Sequence, residues 1–181
     1  AVRSLSALFG TALVPVAFGI GRRLGAGRAG LLAALLVAVN PLMIRYSQEA
    51  RTYALLALLS ALSFWAFVEA LDRPDRRRLT LWALASAAAL LSHYFAAFLV
   101  VPEAVWLVLA NRRRDVLIAS AMVLAVGGAL VPLALRQADH RTEWIEHMPL
   151  FGRIKEEIKK WLTGEISPTR TWQLVLVVVV V

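Results

Sequence analysis

The 181-residue sequence contains no cysteine, which excludes disulfides and thiolate metal sites. Charged residues are also scarce, at 18% of the chain, and acidic ones are the scarcer kind: 12 Asp and Glu stand against 20 Lys and Arg. Hydrophobic residues make up 60% of the sequence, and the mean hydropathy is +0.68. Because this composition lies outside the range of soluble globular domains, it predicts an integral membrane protein.

The net charge of +8 has a topological explanation and does not indicate a nucleic-acid partner. The excess arginine lies in short stretches between apolar segments, at residues 22–28, 73–78 and 112–114. Loops of this kind collect on the cytoplasmic side of a membrane protein. We therefore expect all three arginine stretches to be cytoplasmic and the membrane lipids to be partners of the chain.

Apolar runs of helical length predict an all-α fold, a polytopic transmembrane helical bundle. If the three arginine stretches share one side, the chain crosses twice between the second and the third, with a reversal near Ser92, His93 and Tyr94. The bundle is predicted over residues 1–135, an external loop over 136–170 and the start of a further membrane helix over 171–181. The predicted bundle segments cover residues 4–21, 29–44, 53–71, 80–92, 95–110 and 116–135.

The external loop contains a predicted amphipathic helix over residues 150–162. Its apolar positions, which include Phe151, Ile154, Ile158 and Trp161, recur at helical spacing with charged residues between them. Such a helix lies in the membrane interface, either as an anchor or as a lid over a lipid-linked ligand. Because the sequence lacks an initiator Met and stops inside an apolar run, we expect it to be an internal fragment of a longer protein.

Residues 40–53 form a polar island between two apolar runs. If the island is helical, Tyr46, Glu49 and Tyr53 share one face, with Arg51 beside them. Arginine suits a phosphate ligand because its planar fork donates two parallel hydrogen bonds and stays charged. The alternative is a helix end whose charged side chains face lipid headgroups.

Two further polar features lie outside the polar island. Glu103 lies in an apolar run, where a carboxyl group needs a partner, and we expect that partner to be a cytoplasmic-side arginine or a backbone group; a role in a binding site is the alternative. Residues 140–147 include two His and two Glu, which suit either a solvated loop or a divalent metal. Since their spacing matches no established ligand set, no cofactor and no metal is predicted.

Three stretches together resemble a known family. Residues 3–24 resemble the second membrane helix of bacterial polyprenyl-phosphate-sugar-dependent glycosyltransferases of the GT-C fold. The polar island resembles that family's most recognisable downstream block, and Ser92-His93-Tyr94 matches a His-Tyr found there. The family is related to the dolichyl-phosphate-mannose protein mannosyltransferases of glycosyltransferase family 39 and to the aminoarabinose transferase of lipid A.

The resemblance implies an inverting transfer of a sugar from a polyprenyl-phosphate-linked donor to a lipid, glycan or protein acceptor, at the outer face of the bacterial inner membrane. Arg51 would meet the charge on the departing phosphate, and Glu49 would orient Arg51 or contact the sugar. Tyr46 and Tyr53 would line the pocket, and His93 would hydrogen-bond the phosphate or the acceptor.

The resemblance places the catalytic base outside this sequence. The family's catalytic carboxylate lies on an external loop before its second membrane helix, and the chain begins at that helix. We therefore expect the base upstream of Ala1, no catalytic residue within the chain, and no activity from the fragment alone.

Two other classes of function remain open. A transporter or lipid flippase is the first, with Glu49, Arg51 and Glu103 along a translocation path. Such a protein often has repeated halves, and none is visible in the sequence. A non-catalytic membrane subunit is the second. It would have the same helices but no acidic external loop before them.

Overall fold

The computed structural model describes residues 2–49, 51–138 and 150–163, and these ranges fold into α-helices and one short 3₁₀ helix. The predicted all-α membrane bundle is confirmed. Three helices are long and apolar enough to cross a membrane, over Arg3–Val39, Tyr53–Asp72 and Arg114–Arg136, and a shorter apolar stretch covers Tyr94–Ala110. The elements are α1 (Val2–Val39), α2 (Pro41–Gln48), α3 (Tyr53–Asp72), α4 (Arg76–Ser92), the 3₁₀ helix (Tyr94–Ala96), α5 (Ala97–Ala110), α6 (Arg114–Ala138) and α7 (Leu150–Thr163).

Helix α1 is a hairpin of two antiparallel arms. The backbone leaves helical geometry at Gly25 and at Ala26, whose φ is 71°. The two arms meet at Gly21 and Gly30, where a Cβ added to Gly30 would lie 2.8 Å from the carbonyl oxygen of Phe18. Because only glycine permits so close a backbone approach, these two positions hold the arms together.

The core of the bundle lies between α3, α4, α5 and α6. Its largest fully buried side chains are Trp82 from α4, Val100 and Leu107 from α5, and Val116 and Val123 from α6. Many other apolar side chains on the same helices are exposed. This pattern suits a bundle that is surrounded by lipid, because lipid tails are as apolar as the side chains that face them.

Glu103 is the centre of a buried polar cluster within this core, with only 3% of the residue exposed. Its Oε2 accepts hydrogen bonds from Ser63 Oγ at 2.7 Å and from Trp82 Nε1 at 3.0 Å, and Ser63 is in turn hydrogen-bonded to Ser86 at 2.8 Å. The expected partner, a cytoplasmic-side arginine or a backbone group, was wrong. Helices α3 and α4 supply side-chain donors to Oε2, whereas Oε1 is buried and has no hydrogen-bond partner in the described part of the chain.

Ion pairs connect α1, α3 and α4 at the end of α3 that is opposite to the polar island. Arg23 of α1 pairs with Glu69 at 2.9 Å and with Asp72 at 2.8 Å, and Arg78 of α4 pairs with Glu69 at 3.6 Å and with Asp75. Asp75 also caps α4, because its carboxylate accepts the backbone N–H of Arg78 at 3.0 Å. That hydrogen bond holds the pKa of Asp75 below its ordinary value.

Candidate functional site

Helix α2 carries the first half of the polar island. Asn40 has an extended backbone and caps the helix by accepting the N–H of Met43 at 3.0 Å, and Pro41 occupies the first turn, where its missing N–H costs nothing. The helix packs on the first arm of α1 at a close contact between Gly10 and Ser47. It follows that the predicted segment 29–44 is divided at Asn40.

The polar island is not one helix. Helix α2 ends at Gln48, the backbone of Glu49 is extended (φ −88°, ψ 144°), and α3 begins only at Tyr53. The expectation that Tyr46, Glu49 and Tyr53 share one helical face was therefore wrong. The chain bends at Glu49 and at Arg51 instead, so the described part of the island comprises the end of α2, these two bends and the start of α3.

The bend nevertheless brings the predicted aromatic residues together. The rings of Tyr46 and Tyr53 lie 4.8 Å apart, Tyr53 lies 6.1 Å from His93, and His93 lies 4.7 Å from Tyr94, all measured between ring centroids. We call these four residues the aromatic row. The row runs from the end of α2 across the start of α3 to the end of α4, because antiparallel α3 and α4 place those two helix ends side by side.

Glu49, which lies in the sequence between Tyr46 and Tyr53, is in contact with two arginines. Its Oε1 accepts a hydrogen bond from Arg45 Nε at 2.9 Å, and its Oε2 lies 3.7 Å from Arg51 Nε. Only 26% of the Glu49 side chain is exposed, against 67% for Arg51. Arg45 was not among the residues predicted from the sequence, although its spacing of four residues from Glu49 within a helical stretch was a usable signal.

This arrangement leaves two groups available for a ligand. The Arg51 guanidinium lies near the Glu49 carboxylate on one side and is otherwise largely exposed. Its exposed N–H groups can therefore bind an anion. The Oε2 atom of Glu49 is buried and has no hydrogen-bond partner in the described part of the chain. Because buried oxygen atoms are normally hydrogen-bonded, this atom favours a hydrogen-bond donor that a ligand supplies, such as a hydroxyl group.

His93 joins the row in a defined orientation. Its Nδ1 accepts the backbone N–H of Phe95 at 3.2 Å, and the residue caps the 3₁₀ helix in this way. In the neutral ring the proton then lies on Nε2, because Nδ1 is used as an acceptor. His93 can therefore donate a hydrogen bond through Nε2.

An apolar groove leads away from the aromatic row along the outer halves of α5 and α6. A cavity of about 180 Å³ beside His93 and Tyr94 adjoins a second one of about 410 Å³, and Leu90, Tyr94, Leu130 and Ala134 line both. Gly127 and Gly128 form part of the wall of the larger cavity. We call the two cavities together the Gly128 groove.

Helix α7 lies against α2. The side-chain amide of Asn40 donates to the carbonyl oxygen of Trp161 at 3.4 Å, and the apolar side chains Phe151, Ile154, Ile158 and Trp161 are exposed. Since one exposed face is apolar and the exposed Lys155 is charged, the helix suits the membrane interface next to the start of the polar island.

Three of the sequence predictions fall outside the described residues. In the ranges 2–49, 51–138 and 150–163, no group of three or more His, Cys, Asp or Glu side chains has the geometry to hold a metal ion. The metal hypothesis for residues 140–147 lies outside those ranges, as does the predicted membrane segment at 171–181. The catalytic base expected upstream of Ala1 also lies outside them, because the described residues begin at Val2. It stays a prediction.

The sequence profile of the dolichyl-phosphate-mannose-protein mannosyltransferases matches residues 1–135, which include the polar island and His93. The chain belongs to this family. It is a membrane glycosyltransferase of the GT-C type, and the resemblance drawn from the sequence is confirmed. Neither a curated protein nor a solved structure matches the chain. Within this family member, helix α7 lies beyond the matched residues.

Proposed function

We propose that this GT-C glycosyltransferase moves a sugar from a polyprenyl-phosphate-linked donor to a lipid, glycan or protein acceptor, with inversion at the anomeric carbon, at the outer face of a bacterial inner membrane. The observation that carries the proposal is the position of Arg51. Its exposed guanidinium belongs to the residue two positions before Tyr53, and His93 and Tyr94 at the other end of the aromatic row line the Gly128 groove. A charged phosphate, a sugar ring and an apolar tail are thus each matched by a neighbouring surface.

Arg51 is proposed to bind the donor phosphate. When the acceptor hydroxyl attacks the anomeric carbon, the bond from that carbon to the phosphate oxygen breaks and negative charge grows on the departing polyprenyl phosphate. A fixed guanidinium stabilises that charge most when it needs no reorientation. Glu49 supplies this fixation, because it contacts Arg51 on one oxygen and is held by Arg45 on the other.

The other predicted residues are proposed to hold the sugar and the acceptor. The faces of Tyr46 and Tyr53 offer apolar area for a sugar ring. Glu49 Oε2 can accept a hydrogen bond from one hydroxyl group of that sugar. His93 Nε2 is proposed to donate to the phosphate or to the acceptor. Glu49 is engaged by two guanidinium groups, so we propose it as a positioning and binding residue and not as the catalytic base, which is expected upstream of Ala1.

The Gly128 groove is proposed to hold the first isoprene units of the donor. It begins beside His93 and Tyr94 and continues along α6 between apolar side chains, where a polyprenyl tail would be continuous with the surrounding lipid. A Cβ added to Gly128, which lines the groove, would meet no atom of the described residues within 4 Å. A larger side chain at this position can therefore be introduced without displacing the described helices, and we propose that it narrows the groove.

We expect Gly128→Leu to lower kcat/KM about tenfold with a long-chain polyprenyl-phosphate sugar, because the new side chain excludes part of the tail. A donor with a single isoprene unit, which does not reach Gly128, should keep its rate. Initial rates with both donors, measured for Gly128→Leu and for the smaller Gly128→Ala, check the expectation. Equal losses with the two donors would contradict a tail in this groove.

The transfer reaction itself is tested with the native full-length protein in proteoliposomes that contain a polyprenyl-phosphate donor with a radiolabelled sugar. We expect label to pass to an extracted lipid, glycan or protein fraction, with release of unglycosylated polyprenyl phosphate. If the polyprenyl-phosphate sugar instead moves to the other leaflet with its sugar–phosphate bond intact, the protein is a flippase and the proposal is overturned.

A further inference from the structure

A second groove lies between α3 and α4, at the end of these helices opposite to the polar island. Its cavity measures about 640 Å³, and apolar side chains from both helices form its walls. The walls include Leu59 and Leu62 of α3 and Ala85 of α4, and Arg77 and Arg78 lie at the mouth. We call this cavity the arginine-end groove.

The carboxylates at its mouth are already occupied by arginine. Glu69 is shared by Arg23 and Arg78, and Asp75 pairs with Arg78. Arg77 is exposed and forms no ion pair within the described ranges. One guanidinium at the mouth therefore remains without a counter-ion in that part of the chain, directly above an apolar cavity.

The chemistry of the groove favours an amphiphilic anion. In a bilayer, apolar walls alone do not select one lipid from another, because any lipid tail satisfies them equally. A free guanidinium does select, since it attracts anionic headgroups and matches the geometry of a phosphate. A soluble anion would use Arg77 but leave the apolar cavity unused.

We propose that the arginine-end groove binds an anionic phospholipid, with one acyl chain between α3 and α4 and the headgroup phosphate on Arg77. The leaflet is the one at the arginine-rich end of the bundle, which the charge distribution predicts to be cytoplasmic. This lipid is a structural or regulatory partner and not the sugar donor, because it lies at the other end of the helices from Arg51 and His93.

The binding is tested by native mass spectrometry of the purified full-length protein, after exchange into nanodiscs of equal parts phosphatidylglycerol and phosphatidylcholine. Wild-type protein should retain phosphatidylglycerol in preference to phosphatidylcholine. Arg77→Gln should lower the retained phosphatidylglycerol about fivefold, the factor that corresponds to about 1 kcal/mol for one arginine near the headgroups. Retention of phosphatidylcholine should not change.

Two matched variants separate a site from general attraction. Arg73→Gln removes the same charge from an exposed position at the end of α3 that does not line the groove, so phosphatidylglycerol should remain bound. Ala85→Leu fills the groove without changing any charge, so it should lower retention of both lipids.

Three results would overturn the proposal. Equal losses for Arg77→Gln and Arg73→Gln would mean diffuse attraction to the arginine-rich end. Full retention by Ala85→Leu would mean that no acyl chain occupies the groove. Absence of retained phospholipid in the wild-type protein would mean that a protein segment or a second copy of the chain fills it. Each readout is lipid retention, so the proposal fails or stands independently of sugar transfer.

Discussion

The Arg51→Ala substitution should lower sugar transfer by the native protein about 10²- to 10³-fold, the effect of removing one fixed donor from a developing negative charge. Because 67% of the Arg51 side chain is exposed, its loss should leave no cavity and should not disturb folding. The measurement is kcat at saturating donor, together with the amount of protein in the membrane fraction, which should be unchanged.

Two further variants make this test specific. Arg136→Ala removes an exposed arginine from the end of α6, the end at which the Gly128 groove opens, and should retain nearly normal turnover. Arg51→Lys keeps the charge but loses the planar fork, so its rate should lie between those of wild type and Arg51→Ala. Near-normal turnover of Arg51→Ala would contradict the role of Arg51. Arg45, the other arginine that contacts Glu49, would then be the candidate for binding the phosphate.

The sequence was sufficient for the fold class and the family, and the reason is physical. In a membrane, helices are the only open-ended structures that satisfy every backbone group, so long apolar runs determine the class. The placement of His93 on the same side of the membrane as the polar island was also predictable, because the arginine stretches put the opposite ends of the helices on the cytoplasmic side. The island starts α3, His93 ends α4, and the two helix ends are neighbours in the structure.

The geometry of the polar island could not be predicted in the same way. Tyr46 and Tyr53 are seven residues apart, a spacing that would place them on one face of a continuous helix, and their rings do meet. They meet, however, because the chain bends at Glu49 and the second helix starts anew at Tyr53. Glu49 thereby points to Arg45 on one side and Arg51 on the other.

The partners of Glu103 were also beyond prediction from sequence spacing. Ser63 is 40 residues away and Trp82 is 21 residues away, and both donors belong to other helices. Serine and tryptophan in apolar helices are common, so nothing in the local sequence marks them as partners of a carboxyl group. Only the packing of α3 and α4 against α5 selects them.

The largest effect on stability is expected from Trp82→Ala, which should lower the free energy of unfolding by about 3–5 kcal/mol. Trp82 has an exposed fraction of 0%, and its indole N–H donates to Glu103 Oε2. The substitution therefore leaves a cavity of indole size between α4 and α5 and removes one of the two hydrogen bonds to Glu103. Thermal unfolding in detergent, followed by circular dichroism or by native tryptophan fluorescence, measures the loss.

Trp106 provides the matched control, because it lies on α5 with 63% of its surface exposed. Trp106→Ala removes the same side chain from a lipid-facing position, and the expected change is within about 0.5 kcal/mol. Trp82→Phe separates the two contributions at the buried site: it retains most of the ring but loses the N–H donor, so the expected cost is about 1–3 kcal/mol. If Trp82→Phe is as destabilising as Trp82→Ala, the hydrogen bond to Glu103 holds α4 against α5, and packing of the ring is secondary. If Trp82→Ala and Trp106→Ala cost the same, the buried cluster does not stabilise the bundle.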